Sequence, residues 1–160
     1  FLIGKDGEDY GFDPVEFVKR PKDAEVMLIL GSNAPATSLD AYLRLFKDLT
    51  LPAICCNPDK LMITPHGLQP APGAIASVYE AMGNSVTWIG KPYRGIYEHA
   101  LNLLSHPARV LCIGDSAEHD VAGGKGAGLA TLLVQQGVSA DVAAQDIDPQ
   151  ADYIMSDFGW

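Results

Sequence analysis

Val110-Leu-Cys-Ile-Gly-Asp-Ser-Ala-Glu-His-Asp120 decides how this chain is read, because an apolar run of strand length ends at Gly114-Asp115 and a helical stretch opens directly after it. Such a strand places the Asp115 carboxylate at its carboxyl edge. In open parallel sheets ligands bind in the crevice at that edge, so Asp115 stands where chemistry is usually done. Asp120 follows one helical turn later and can point back towards the same crevice. Two carboxylates there suit a hard divalent cation, since Mg²⁺ takes one or two protein carboxylates and completes its octahedron with water and phosphate oxygens. The residues alone also permit a plainer arrangement, in which Asp115 caps the helix and Asp120 answers its dipole.

Working outward, the same alternation recurs on both sides. Glu25 to Leu30 is a short apolar run ended by Gly31-Ser-Asn-Ala-Pro35, as expected of a buried strand. Leu39, Tyr42, Leu43, Phe46 and Leu49 then share one helical face, with Thr37 or Ser38 as N-cap. Pro52 to Cys56 reads as a strand ending at Asn57-Pro58-Asp59. Met62 to Pro72, with three prolines and a glycine, reads as a connection and a domain boundary. Ile75, Val78, Tyr79 and Met82 predict a second helix, stopped by Gly83-Asn84. Val86 to Ile89 is a strand, Ile96 to Leu104 a helix, Arg109 to Ile113 a strand, Ala117 to Lys125 a helix, and Ala130 to Val134 and Tyr153 to Met155 are strands. Strands alternating with helices at this pitch argue for an α/β fold with a parallel sheet covered on both faces.

Composition narrows the partners. Twenty acidic residues against 11 basic ones give a net charge of -9, which repels nucleic acid and anionic membrane surfaces. No apolar run approaches the roughly 18 residues of a membrane span. Three cysteines, Cys55, Cys56 and Cys112, form neither a disulfide framework nor a Cys-x-x-Cys pair, so a reducing cytoplasm is expected. The chain opens on the apolar Phe-Leu-Ile without methionine, which is expected of a fragment or a processed product.

An acidic protein that handles anions must gather positive charge locally. Val86-Thr-Trp-Ile-Gly-Lys-Pro92 is a second strand ending in glycine, and it sets Lys91 at the carboxyl edge. Lys91 and Asp115 are therefore expected to face one crevice. A lysine beside a metal carboxylate is what phosphoryl transfer needs, because catalysis there is mostly positioning and charge neutralisation. A solvated lysine at a strand end is the ordinary alternative.

Gly90-Lys-Pro92, Ile113-Gly-Asp-Ser116 with Asp120, Ala122-Gly-Gly-Lys-Gly-Ala-Gly-Leu129 and Thr131-Leu-Leu-Val134 resemble the third and fourth motifs of the haloacid dehalogenase superfamily. Together with Cys56-Asn-Pro-Asp59 they resemble its class IIA, whose cap is inserted between the second and third motifs. The class includes phosphatases of sugar phosphates and 4-nitrophenyl phosphate. The resemblance implies a Rossmann-like parallel-sheet core with an inserted α/β cap, incomplete at the N-terminus. Residues 1–66 would be the second part of the cap and 67–160 the C-terminal half of the core. It further implies a Mg²⁺-dependent phosphomonoester hydrolase acting through an aspartyl-phosphate. Asp115 would be the metal ligand. Lys91 would hold the phosphate and the nucleophile's charge, and Asp120 would support both. Asn57 and Asp59 resemble residues that reach the substrate from the cap, although a strand-ending Asx turn explains them equally.

The family's first motif, an apolar strand ending in Asp-x-Asp, has no match here, and Asp6, Glu8, Asp9 and Asp13 read as an acidic loop. The partners implied are a small phosphorylated metabolite, an N-terminal segment of the same protein, and a further copy of the chain. This fragment alone is expected to be inactive. A binding or regulatory module that keeps the fold without the chemistry is the alternative of a different class. A flavodoxin-like or receiver-like domain fits less well, because its key aspartates come early. His119 is expected to face solvent, and Gly123, Gly124, Gly126 and Gly128 to serve close packing and a helix stop.

Overall fold

The computed structural model describes residues 1–157 apart from Phe12, Pro14 and His106. It divides into two compact units, Phe1–Ile89 and Gly90–Trp160.

The first unit is built on a parallel sheet. Its strands are β1 (Leu2–Ile3), β2 (Met27–Ile29), β3 (Ala53–Cys55) and, after a hairpin and a helix, a last strand at Val86–Trp88. Met27 pairs with Ala53, and Ala53 in turn with Val86, so the order runs from β1 through β2 and β3 to that last strand. The apolar run at 25–30 makes β2 because alternate residues Met27 and Ile29 are wholly buried. Helix α1 (Leu39–Phe46) begins where Ser38 Oγ accepts the Ala41 N–H at 3.3 Å, choosing between the two N-caps the sequence allowed. Tyr42 and Phe46 turn inward from α1, while Leu43 stays 41% exposed.

Leu61–Thr64 (β4) and Gly67–Pro70 (β5) pair antiparallel as a hairpin, where the sequence pointed to an irregular connection. Pro65 occupies the turn and Pro70 the end of β5, positions at which a strand tolerates proline. Helix α2 (Pro72–Ala81) lays Ile75, Ala76 and Tyr79 into the core and stops at Met82-Gly83, where Gly83 has φ 90° as its C-cap position requires. The Phe46 and Tyr79 rings meet edge to face with centroids 4.8 Å apart. Strand β6 (Val86–Trp88) then closes the sheet beside β3.

The boundary expected at residue 66 therefore lies inside this unit. Residues 67–89 go with what precedes them because β6 takes its hydrogen bonds from β3.

The second unit holds helix α3 (Arg94–Leu103), strand β7 (Leu111–Gly114), a π-helical turn (Ala117–Val121), the short helix α4 (Ala122–Gly126), and strands β8 (Ala130–Val134) and β9 (Tyr153–Met155). The three strands are parallel, in the order β7-β8-β9. Val121, Leu133 and Ile147 form its buried apolar cluster. Among the described residues, β6 pairs with β3 and β7 with β8, so the two strands lie in separate sheets.

Candidate active site

The second unit gathers Lys91, Asp115 and Asp120 around the carboxyl end of β7. The chain leaves β7 at Gly114, and Ser116 caps the π-helical turn by accepting the His119 N–H on its Oγ at 3.2 Å. Capping is therefore done by Ser116, and the Asp115 side chain is left for other work. Within the turn the Asp120 and Val121 N–H groups both donate to the Ser116 carbonyl, at 2.9 and 3.1 Å. The second of these closes over five residues, and the additional residue in the turn swings the following side chains inward.

Asp120 consequently lies 8% exposed, folded back on the strand end. Its Oδ1 accepts from Lys91 Nζ at 2.6 Å and its Oδ2 from the Ser116 N–H at 3.1 Å. The carboxylate sits directly against Gly114, where any Cβ would collide with it, so only glycine before Asp115 leaves Asp120 its place. Lys91 is joined to β7 through this ion pair and not through a shared sheet. Its side chain is 46% exposed, against 10% for that of Asp120. The buried carboxylate fixes the ammonium of a side chain that is itself about half exposed.

Asp115 is held from the opposite side. Its Oδ2 accepts the Val138 N–H at 3.0 Å, and its main-chain carbonyl accepts the Ser139 hydroxyl. No hydrogen bond among the described residues reaches Oδ1. No group of three or more His, Cys, Asp or Glu side chains among the described residues could hold an ion unaided. Mg²⁺ does not ask for one, since a single carboxylate oxygen beside water and substrate oxygens matches its habit. Asp115 through Oδ1 fits that role. Asp120, with both oxygens engaged, fits a supporting one.

Two neighbours complete the site. Tyr97 on α3 donates its hydroxyl to the His119 carbonyl at 3.3 Å, and burial, followed by the charges of Cys112 and Asp120, pushes its phenol up to about 12, so it remains a donor. Its ring packs against Gly123, where a Cβ would meet the hydroxyl, in keeping with the expected close-packing role of that glycine. His119 is 7% exposed, contrary to the solvent-facing position expected, because the π-helical turn directs it inward, where its Nδ1 meets Ser116 Oγ at 3.0 Å.

Asn57 and Asp59 lie in the first unit, after β3. Asn57 Oδ1 accepts the Asp59 N–H at 3.2 Å, an Asx turn, and the Asp59 carbonyl accepts the Gly73 N–H at 2.9 Å. Cys55 is buried on one side of its strand with its thiol on the Asn57 carbonyl, and burial pushes that thiol up to about 11.

The residues that the sequence did not single out are Tyr97 and the turn 137–139. The second had a signal. Gly114 pairs with Leu133, so whatever follows β8 must lie beside Asp115.

The chain is similar to haloacid dehalogenase-like hydrolases, by a family model over its second unit and by structure over most of its length. The family described as "HAD-hyrolase-like" matches residues 88–160. A dihydroxyacetone phosphatase of Corynebacterium glutamicum is 40% identical over 90 residues, which make up 55% of this chain and 33% of that protein. An acid sugar phosphatase of Staphylococcus aureus is 37% identical over 100 residues, 60% of this chain and 39% of that protein. In structure, a haloacid dehalogenase-like hydrolase of Brucella suis superposes with a TM-score of 0.77 at 30% identity, over 97% of this chain and 64% of that one. The matches thus take in a third to two fifths of the curated relatives' length. No helix among the described residues is long and apolar enough to cross a membrane.

Proposed function

We propose that the protein is a Mg²⁺-dependent phosphomonoester hydrolase acting on a sugar phosphate or another small phosphorylated metabolite. The observation that carries this reading is the arrangement at the end of β7. There Asp115 has one oxygen that no hydrogen bond among the described residues engages, and Asp120 holds the ammonium of the half-exposed Lys91 side chain in a fixed position. A bound Mg²⁺ would polarise the phosphoryl group and neutralise its charge. Lys91 would stabilise charge on the equatorial oxygens, and the Asp120 carboxylate would keep that lysine protonated and aimed. The substrate class is supported by the names of the two curated relatives.

No described strand in these residues ends in Asp-x-Asp, so the attacking aspartate of an aspartyl-phosphate route is assigned to a segment outside them. Among the described residues β7 is an edge strand, so its outer backbone edge can take a further parallel strand. The first unit, up to Ile89, takes the role of cap, with Asn57 and Asp59 as its substrate contacts. The three cysteines are unpaired, which suits a reducing compartment.

In the complete protein, Asp115→Ala should abolish metal-dependent hydrolysis of sugar phosphates while leaving the circular dichroism spectrum unchanged. Undiminished turnover in this variant, or in excess chelator, contradicts the assignment.

A further inference from the structure

The turn Gly137-Val138-Ser139 grips one residue from three directions. The Val138 N–H donates to Asp115 Oδ2 at 3.0 Å. The Ser139 hydroxyl, on a residue only 5% exposed, donates to the Asp115 carbonyl. Gly137 has φ 56° and lies so close that a Cβ on it would strike Asp115 Oδ2. A surface loop has no packing reason to concentrate its contacts on a single aspartate. Here the backbone donor selects the carboxylate's rotamer, the hydroxyl fixes the main chain beneath it, and the missing side chain makes room for both.

We propose that Gly137 and Ser139 are positioning residues for cation binding, in that they hold the Asp115 carboxylate with Oδ2 turned to the protein and Oδ1 presented outward. This rests on Asp115 as the metal ligand. Oxygens anchored in this way need no reordering when an ion arrives, so the turn contributes to affinity for the cation without touching it. Outer partners of metal ligands typically change affinity by about 10- to 100-fold when removed. Ser139→Ala removes the hydroxyl and leaves the Val138 N–H in place. Gly137→Ala both strains the left-handed backbone and pushes the carboxylate aside, so its effect should be the larger.

The test is Mn²⁺ binding, followed by electron paramagnetic resonance in the complete protein without substrate, for wild type, Asp115→Ala, Ser139→Ala and Gly137→Ala. Mn²⁺ shares the preference of Mg²⁺ for six oxygen ligands. Thermal unfolding measured alongside separates a loss of fold from a loss of the site. The expected result is strongly reduced binding in Asp115→Ala and a rise of about 10-fold or more in the Mn²⁺ dissociation constant of folded Ser139→Ala. If Gly137→Ala does not fold, Ser139→Ala alone decides. Wild-type affinity in Ser139→Ala, with binding lost in Asp115→Ala, overturns the positioning role and leaves the metal assignment standing. Wild-type affinity in Asp115→Ala overturns the metal assignment itself.

Discussion

Both units lay parallel strands against helices, but they use their side chains differently. In the first, Met27, Ile29, Phe46, Cys55, Ile75, Ala76 and Tyr79 are wholly buried around one sheet. In the second the buried apolar cluster is Val121, Leu133 and Ile147, and the better-defined contacts are polar: Lys91 with Asp120, Asp115 with the turn at 137–139, and Asp152 with Thr131 and Lys125. Apolar burial is non-directional and supplies stability. Hydrogen bonds and ion pairs contribute less net free energy and more geometry. The first unit is therefore made to be stable, and the second to hold particular atoms in place.

Substitutions should separate these two kinds of work. The largest effect on stability is expected from Phe46→Ala, which leaves a cavity between α1 and α2 and removes the edge-to-face contact with Tyr79. It should lower the unfolding free energy by about 3 to 5 kcal/mol, read from the midpoint of denaturant unfolding. A loss below about 1 kcal/mol would mean that the first unit does not depend on this core.

A smaller effect, in the second unit, depends on pH. Hydrogen bonds from the Thr131 N–H, then from the Thr131 hydroxyl and Lys125, hold the Asp152 carboxyl below its ordinary value. A carboxylate whose folded pKa is depressed contributes stability above its unfolded pKa and loses it as pH falls through the folded one. Melting temperature measured from neutral pH down into the acid range should therefore fall less steeply in Asp152→Asn than in wild type. Identical pH dependence in the two proteins would assign the acid sensitivity to other groups.

Much of this fold was legible because local signals were strong and unopposed. The apolar run before Gly114-Asp115 and the stop at Gly83 each have one physical solution, and the N-cap had only two neighbouring candidates, of which Ser38 is used. The hairpin at 61–70 was not legible, because prolines at a turn and at a strand end look like a broken connection until the pairing partner is known. Nor could the sequence distribute strands between sheets. Val86–Trp88 and Leu111–Gly114 read alike, and only their pairing with β3 and β8 separates them. The strand ends suggested only that Lys91 and Asp115 share a crevice, and the support of Lys91 by Asp120 was implied by the family resemblance; in the structure the buried Asp120 carboxylate holds the lysine directly. The inward turn of His119 escaped prediction because a π-helical turn shifts the face that each residue presents. Asn57 and Asp59 allowed either a turn or a substrate contact. The turn is formed, and it does not preclude the contact.

The central claim is that the second unit fixes a cation and a lysine for phosphoryl transfer, and steady-state kinetics of Lys91→Ala in the complete protein test it most directly. An ammonium acting on charge that develops in the transition state should cost about 10²- to 10³-fold in kcat when removed. That loss should appear at saturating sugar phosphate and Mg²⁺, with KM little changed. An unchanged kcat with a raised KM would make Lys91 a uniform binding group and contradict the account.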